Sequence, residues 1–159
     1  VCWCSDDHRT GLEKMSSASK RRCLAKDYVQ NGLIKGYLAY IGNRAVGWCN
    51  ANDKNSCQNC ISWMRNLSDV DTSQPSGPRV KSVFCFAIAM DHRRKGVATE
   101  LLKRVCIDAK NEGYEIVEAY PKKTLKNLDD FEGPLSMYLK QGFVITRDCG
   151  DYFVVEKHL

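Results

Sequence analysis

Arg93, Arg94 and Lys95 place three cations in a row, directly ahead of Gly96 and of a stretch with helical period. Val97 opens that stretch. Ala98, Leu101, Leu102, Val105 and Ala109 fall on one face, and Glu100, Lys103, Arg104, Asp108 and Lys110 on the other. The first N–H groups of a helix have no partner inside it, and they carry the positive end of its dipole. Gly96 has no side chain to obstruct an approaching anion, and Ala98 has only a methyl. These residues suit phosphate binding, with guanidinium and ammonium groups adding formal charge to main-chain donors. The competing reading is a solvated basic turn. The spacing is neither the Walker pattern G-x-x-x-x-G-K-[ST] nor G-x-G-x-x-G.

A basic turn binds an anion only if its flanking elements hold it in place. Residues 83–90 are apolar or small throughout, which predicts a short strand buried on both faces. Gly113 closes the helix. Residues 114–120 form a further strand ended by Pro121, which gives a parallel strand–helix–strand unit with a right-handed crossover. Upstream, residues 14–31 read as a helix stopped by Gly32. Residues 33–41 and 45–50 read as strands joined by the hairpin turn Gly42-Asn43. Residues 52–81 are polar and lack a sustained period, and 122–133 form a polar loop. Pro134 opens a short helix over 134–141 and Gly142 ends it. Residues 143–146 and 152–157 are the last strands.

Arg93-Arg94-Lys95-Gly96-Val97-Ala98 matches the [Gln/Arg]-x-x-Gly-x-[Gly/Ala] motif of the GNAT N-acetyltransferases, and Phe86-Ala87-Ile88-Ala89-Met90 resembles the strand that precedes it there. Met90 stands where that family usually has proline, and Ala98 where it usually has a second glycine. Tyr138-Leu139-Lys140-Gln141-Gly142-Phe143 resembles the family's Tyr-x-x-x-Gly-Phe signature. The resemblance implies acetyl-coenzyme A as cosubstrate. Phe86, Ala87 and Ile88 would offer main-chain hydrogen bonds to the pantetheine arm. Arg93 and the turn Arg94, Lys95, Gly96, Val97, Ala98 and Thr99 would cradle the pyrophosphate. Tyr138 would protonate the departing thiolate, since a neutral phenol within hydrogen-bonding reach can supply that proton. The family often carries Asn seven positions before this tyrosine; here the residue is Phe131. The family's fold also opens with a strand and a helix for which the ten irregular residues at the start leave no room.

No general base stands out. Glu118 and Asp91 are candidates by location alone, and Glu118 reads better as a solvent-facing strand carboxylate. His92 sits where the family often has an aromatic residue, so packing is its expected role. Of the nine cysteines, Cys85 and Cys106 lie in core-like contexts. Cys57 and Cys60 form a lone C-x-x-C, far along the chain from Cys2 and Cys4. Four thiolates suffice for zinc, but nothing in the sequence brings the two pairs together, so no metal is expected.

A net charge of +5 suits an anionic ligand and is too mild and too spread to indicate nucleic acid. No apolar run approaches the length of a membrane span, and no signal-peptide core precedes the first helix. Reduced thiols and a cytoplasmic setting are expected.

The sequence therefore predicts one α/β (α+β) domain over residues 1–159. Its GNAT-like acyltransferase fold has a mixed, mostly antiparallel sheet, one parallel crossover and flanking helices, with the opening strand and helix of that fold either missing or unusual. The expected activity is acetyl transfer from acetyl-coenzyme A to an amine acceptor by direct attack in a ternary complex. The alternative is a non-catalytic acyl-CoA-binding or regulatory module on the same scaffold. Neither the acceptor nor the oligomeric state, a homodimer being one option, is written in the sequence.

Overall fold

The computed structural model describes residues 18–57, 77–124 and 131–159. Helix α1 (Ala18–Gln30) leads into the hairpin β1 (Gly36–Ile41) and β2 (Arg44–Asp53), and a 3-10 segment (Lys54–Cys57) follows. Strand β3 (Val80–Ile88) and a short 3-10 turn (Met90–His92) feed helix α2 (Val97–Asn111). Then come β4 (Ile116–Ala119), helix α3 (Leu135–Lys140), β5 (Val144–Asp148) and β6 (Phe153–His158). The six strands lie in the order β1-β2-β3-β4-β6-β5. Of the five pairings among the described residues, only β3 with β4 is parallel. This is the mixed sheet with one crossover that the sequence implies.

Helix α2 forms where the apolar period runs. It buries Leu101, Leu102, Val105, Cys106 and Ala109. Its outer face carries Lys103–Glu100 and Arg104–Asp108 ion pairs, each 2.8 Å. Burying one Leu or Val stabilises by about 1.5–3 kcal/mol, while an exposed helical pair contributes about 0.3–0.5 kcal/mol. The apolar stripe therefore holds the helix to the sheet. Gly113, at φ +77°, ends it. The Gly113 N–H donates to Lys110 O at 3.1 Å and the Tyr114 N–H to Ala109 O at 2.9 Å, the paired bonds of a Schellman closure. On the same face of the sheet, α3 adds Met137 and Tyr138 to the core formed with Cys49, Phe86 and Phe143. The opposite face has a smaller cluster of Phe84, Cys85, Tyr120 and Val154.

Most boundaries fall close to expectation, with two instructive exceptions. Strand β2 continues through Asn52 and Asp53, and β3 begins at Val80. Both ends lie inside the stretch that reads as a polar connector. Asn50 and Asn52 are 1% and 2% exposed. Their side chains bond each other, and Asn52 also bonds both main-chain groups of Lys35, at 2.7 and 3.0 Å. Satisfied in this way, polar residues can occupy a central strand. Lys81 is likewise buried, paired with Glu112 at 2.5 Å and lying 4.7 Å from the Tyr114 ring centre. The expected irregular segment at 1–10, and the connector between 58 and 76, lie outside the described residues.

At Gly47 helix α2 packs close against the sheet. A Cβ there would meet Val97 Cγ1 at 2.9 Å, Ile88 Cδ1 at 3.1 Å and Leu101 Cδ1 at 3.2 Å. Gly47→Val should therefore push α2 off the sheet and cost about 1–3 kcal/mol. For a chain of this size that lowers the melting temperature by about 2–4 °C per kcal/mol. Thermal denaturation followed by circular dichroism checks it, and an unchanged midpoint would contradict the packing described.

Candidate active site

The parallel ladder between β3 and β4 is short. It pairs Val80, Lys81, Ser82 and Val83 with Ile116, Val117, Glu118 and Ala119, and stops. Beyond it the two strands part, for two local reasons. In β3, Asn50 of β2 pairs with Cys85 and Ala51 with Val83, so Phe84 is an extra, bulged residue. Phe84 and Cys85 consequently both face away from α2, in the smaller cluster. After β4, the chain turns at Pro121 and follows β6 instead: Pro121 O accepts from Phe153 N–H at 2.9 Å, and Lys122 bridges to Tyr152. A fork opens between Phe84–Ile88 and Tyr120.

The basic turn sits at the far end of β3, where that strand runs into α2. Gly96 caps the helix at φ +84° with nothing within 4 Å of a Cβ position, so the approach to the helix end is open. The first bond within the helix is Glu100 N–H to Gly96 O, at 3.0 Å. The N–H groups of Val97, Ala98 and Thr99 therefore have no partner inside the helix. Arg94, at φ +60°, and Lys95 are exposed beside them. Arg93 differs from its neighbours: it is half-buried and its Nε donates to Ile88 O at 3.2 Å, tying the turn back to β3. Asp91 fastens the turn to β2 through Arg44 at 2.7 Å, and His92 Nδ1 lies 3.0 Å from its other oxygen. Those hydrogen bonds, from His92 first and Arg44 second, hold the Asp91 carboxyl down at about 2. A carboxyl held this low, and tied up by Arg44 and His92, is a poor proton acceptor near neutrality.

Tyr138 lies in the core under the fork. It is fully buried and packs edge-on against Phe143 with ring centres 5.4 Å apart. The Tyr-x-x-x-Gly-Phe spacing has a structural cause. Gly142, at φ +83°, closes α3: its N–H donates to Leu139 O at 3.0 Å and the Phe143 N–H to Tyr138 O at 3.1 Å. This is the closure that ends α2, and it sets the aromatic after the glycine against the residue one turn into the helix. Burial foremost, with Cys49, Cys85 and Glu132 adding to it, pushes the Tyr138 phenol well above its ordinary value. The phenol is therefore neutral throughout the working range of pH, as a proton donor must be.

The loop ahead of α3 links this phenol to the strand. Tyr138 Oη donates to Glu132 O at 2.6 Å, and Phe86 N–H donates to the preceding carbonyl, Phe131 O, also at 2.6 Å. Two consecutive carbonyls thus hold the strand donor and the phenol side by side. Of the main-chain groups expected to serve a pantetheine arm, Phe86 N–H is already engaged. Ile88 presents its N–H along the same edge two residues on, and Ala87 faces β2 opposite Trp48. Phe131 packs on the Phe84–Tyr120 cluster and so has a packing role where an Asn amide is common in the resembling family.

Sequence reasoning named Glu118 by its location but misread its surroundings. Glu118 is not solvent-facing. It is 4% exposed, hydrogen-bonded by the Tyr120 hydroxyl and paired with Lys54 Nζ at 2.8 Å. The signal lay in Glu118 as the one charged residue of β4, among Ile116, Val117 and Ala119, but partners so distant in sequence cannot be read from it. Among the described residues no group of three or more His, Cys, Asp or Glu could hold a metal, and no helix is long and apolar enough to cross a membrane. Cys2, Cys4 and Cys60 lie outside the described residues.

Comparison with solved structures returns the same architecture. A GNAT-family protein of Desulfovibrio desulfuricans superposes with a TM-score of 0.58 at 13% identity, over 94% of this chain and 89% of that one. A ribosomal-protein-alanine N-acetyltransferase of Brucella melitensis gives 0.56 at 14% identity, over 92% and 82%. A GNAT family acetyltransferase of Elizabethkingia anophelis, solved with acetyl-CoA bound, gives 0.55 at 18% identity, over 87% and 83%. At such identities the likeness concerns the fold. None of the curated proteins matches the sequence. The profile of the Acetyltransferase (GNAT) family, however, matches residues 6–143. With that match covering most of its length, and with the forked sheet, the open helix end and the buried tyrosine all in place, this chain belongs to the GNAT family of acetyltransferases.

Proposed function

We propose that the chain moves an acetyl group from acetyl-coenzyme A to an amine by direct attack in a ternary complex, with Tyr138 as the general acid. The observation that carries this reading is the shared loop. Carbonyls of Phe131 and Glu132 hold a β3 donor and the phenol next to each other, on one side of the fork. A pantetheine arm lying in the fork presents an amide acceptor and, one end on, a thioester sulfur. Those are the two groups that Phe86 N–H and Tyr138 Oη would meet once the loop carbonyls yield. The open N-terminus of α2, with Arg94 and Lys95, lies where β3 leads, and suits the pyrophosphate at the other end of the same cofactor. Arg93 supports that turn from behind through Ile88 O. The acetyl-CoA bound to the Elizabethkingia anophelis protein supports the choice of cosubstrate.

Three steps follow from this arrangement. The amine loses its proton and attacks the thioester carbonyl carbon. The tetrahedral intermediate collapses with cleavage of the C–S bond. The sulfur leaves as it takes the Tyr138 proton. The pocket that raises the phenol also disfavours a bare thiolate, so the proton is drawn to sulfur as charge develops there.

The test is thiol release from acetyl-coenzyme A with a panel of small amines, polyamines and peptides with free N-termini. Turnover with at least one acceptor class is expected. Tight coenzyme A binding with no turnover across the panel would instead favour the non-catalytic acyl-CoA-binding module.

Two variants separate the roles. Gly96→Glu puts bulk and negative charge at the open helix end, so calorimetric titration should show coenzyme A binding lost while circular dichroism stays near wild type. Retained affinity would remove the turn from the cofactor site. Tyr138→Phe takes away one hydroxyl and its bond to Glu132 O, costing stability about 1 kcal/mol. It should lower kcat by ~10²–10⁴ and leave coenzyme A affinity nearly unchanged. A loss confined to KM would count against proton donation.

A further inference from the structure

The loop ahead of α3 passes through the fork. Phe131 packs on the cluster that lies on the face away from α2. Gly133 lies on the α2 face, where a Cβ would meet Met137 Cε at 2.9 Å and Phe86 Cδ2 at 3.5 Å. Glu132, between them, therefore stands in the gap between the strands. Its main-chain carbonyl accepts from the Tyr138 hydroxyl at 2.6 Å. Its carboxylate helps to keep that phenol protonated, so the two groups are within electrostatic reach of each other. On the other arm of the fork, Lys122 follows β4 and Pro121, and its Nζ lies 3.5 Å from Glu132 Oε2.

That oxygen is incomplete. Oε2 is buried and accepts no hydrogen bond among the described residues. At 3.5 Å the Lys122 ammonium balances its charge but lies beyond the usual N–H···O distance. A carboxylate oxygen covered from water and without a donor is costly. A molecule lodged in the fork could supply the donor. Asp91 and Glu118 differ in this respect. Both oxygens of Asp91 are engaged, by Arg44 and His92, and both of Glu118, by Lys54 and the Tyr120 hydroxyl.

We infer that Glu132 receives the acceptor: its carboxylate binds the incoming amine as a primary alkylammonium and takes a proton from it. This rests on the acetyl-transfer reading above. Two features select such a donor. The carboxylate belongs to the residue whose carbonyl holds the phenol, so it lies at the sulfur end of the cofactor and not at the phosphates. Lys122 also shows the partner this oxygen draws, a primary ammonium. One N–H of the substrate ammonium donates to Oε2 and passes its proton there. The free amine attacks the thioester carbon, so that an N–C bond forms and the C–S bond breaks. The sulfur leaves as a thiol with the Tyr138 proton, and the second proton of the attacking nitrogen restores the phenol. The products are an amide, free coenzyme A and a protonated Glu132, whose side chain is 24% exposed and returns the proton to solvent.

The test compares the full chain with its Glu132→Gln variant. The substitution keeps the side chain's shape and the main-chain carbonyl that holds Tyr138. Thiol release is measured across pH with the same small alkylamines, polyamines and peptides with free N-termini. Near neutral pH the variant's kcat/KM for the amine should fall by ~10²-fold or more. The deficit should shrink as pH rises, because free amine then needs no base. Coenzyme A affinity, measured by calorimetric titration, should match wild type, which also shows that the site is folded. An unchanged kcat/KM, or a deficit that stays the same at every pH, overturns the inference and leaves the transfer activity standing. A loss of coenzyme A affinity gives Oε2 to the cofactor and overturns it as well. No turnover by wild type with any of these amines overturns both.

Discussion

A ladder of four residue pairs joins the two halves of this sheet. Among the described residues, Val80–Val83 against Ile116–Ala119 is the strand pairing that joins the β1-β2-β3 side to the β4-β6-β5 side. The crossover helix α2 spans the join from one face, and its buried stripe supplies most of what keeps the halves together. Everything functional follows from the ladder being this short. Were β3 and β4 paired to their ends, the main-chain donors beyond Val83 would be spent on each other. Because Phe84 bulges out of register and Pro121 sends the chain towards β6, β3 beyond Val83 is released from β4 inside the sheet, and its Phe86 N–H turns to the loop carbonyl of Phe131.

The two helices that border this opening end in the same way. Gly113 and Gly142 both adopt the left-handed conformation, and both are followed by an aromatic residue whose N–H reaches back five residues. In α3 that closure explains why tyrosine, glycine and phenylalanine recur at their spacing. The glycine turns the chain, the phenylalanine packs on the tyrosine, and the tyrosine ring is thereby fixed beneath β3. A catalytic reading of Tyr138 and a packing reading are not rivals here. The packing fixes the ring, and the hydroxyl donates a hydrogen bond to the loop carbonyl of Glu132.

Buried charge at Lys54 and Glu118 has to be weighed differently from the apolar core. A buried ion pair roughly offsets its own desolvation, so it contributes little net stability compared with well-packed hydrophobic residues. Tyr120 and Ser82 add hydrogen bonds to the carboxylate and further define its position.

The sequence alone determined the elements and the cofactor-facing end of the site. Helical period, alternation, glycine stops and the run of three cations are local patterns, and each element they specify is present within a few residues of where they place it. Membership of the family was legible for the same reason, since its motifs are a turn and a helix closure, both contiguous in the chain. Tertiary structure decided what contiguous residues cannot express. Arg93 reads like Arg94 and Lys95, yet only the path of β3 turns it inward to Ile88 O. Glu118 reads like any strand carboxylate, yet the parallel register sets it beside Ser82 and brings Lys54, sixty-four positions away, onto its oxygen. Asn52 reads as a connector residue, and its hydrogen bonds to Asn50 and to the main chain of Lys35 make it part of a central strand. A charge or an amide in water and the same group under a sheet differ in their partners, and those partners are chosen by register, which the chain acquires only on folding.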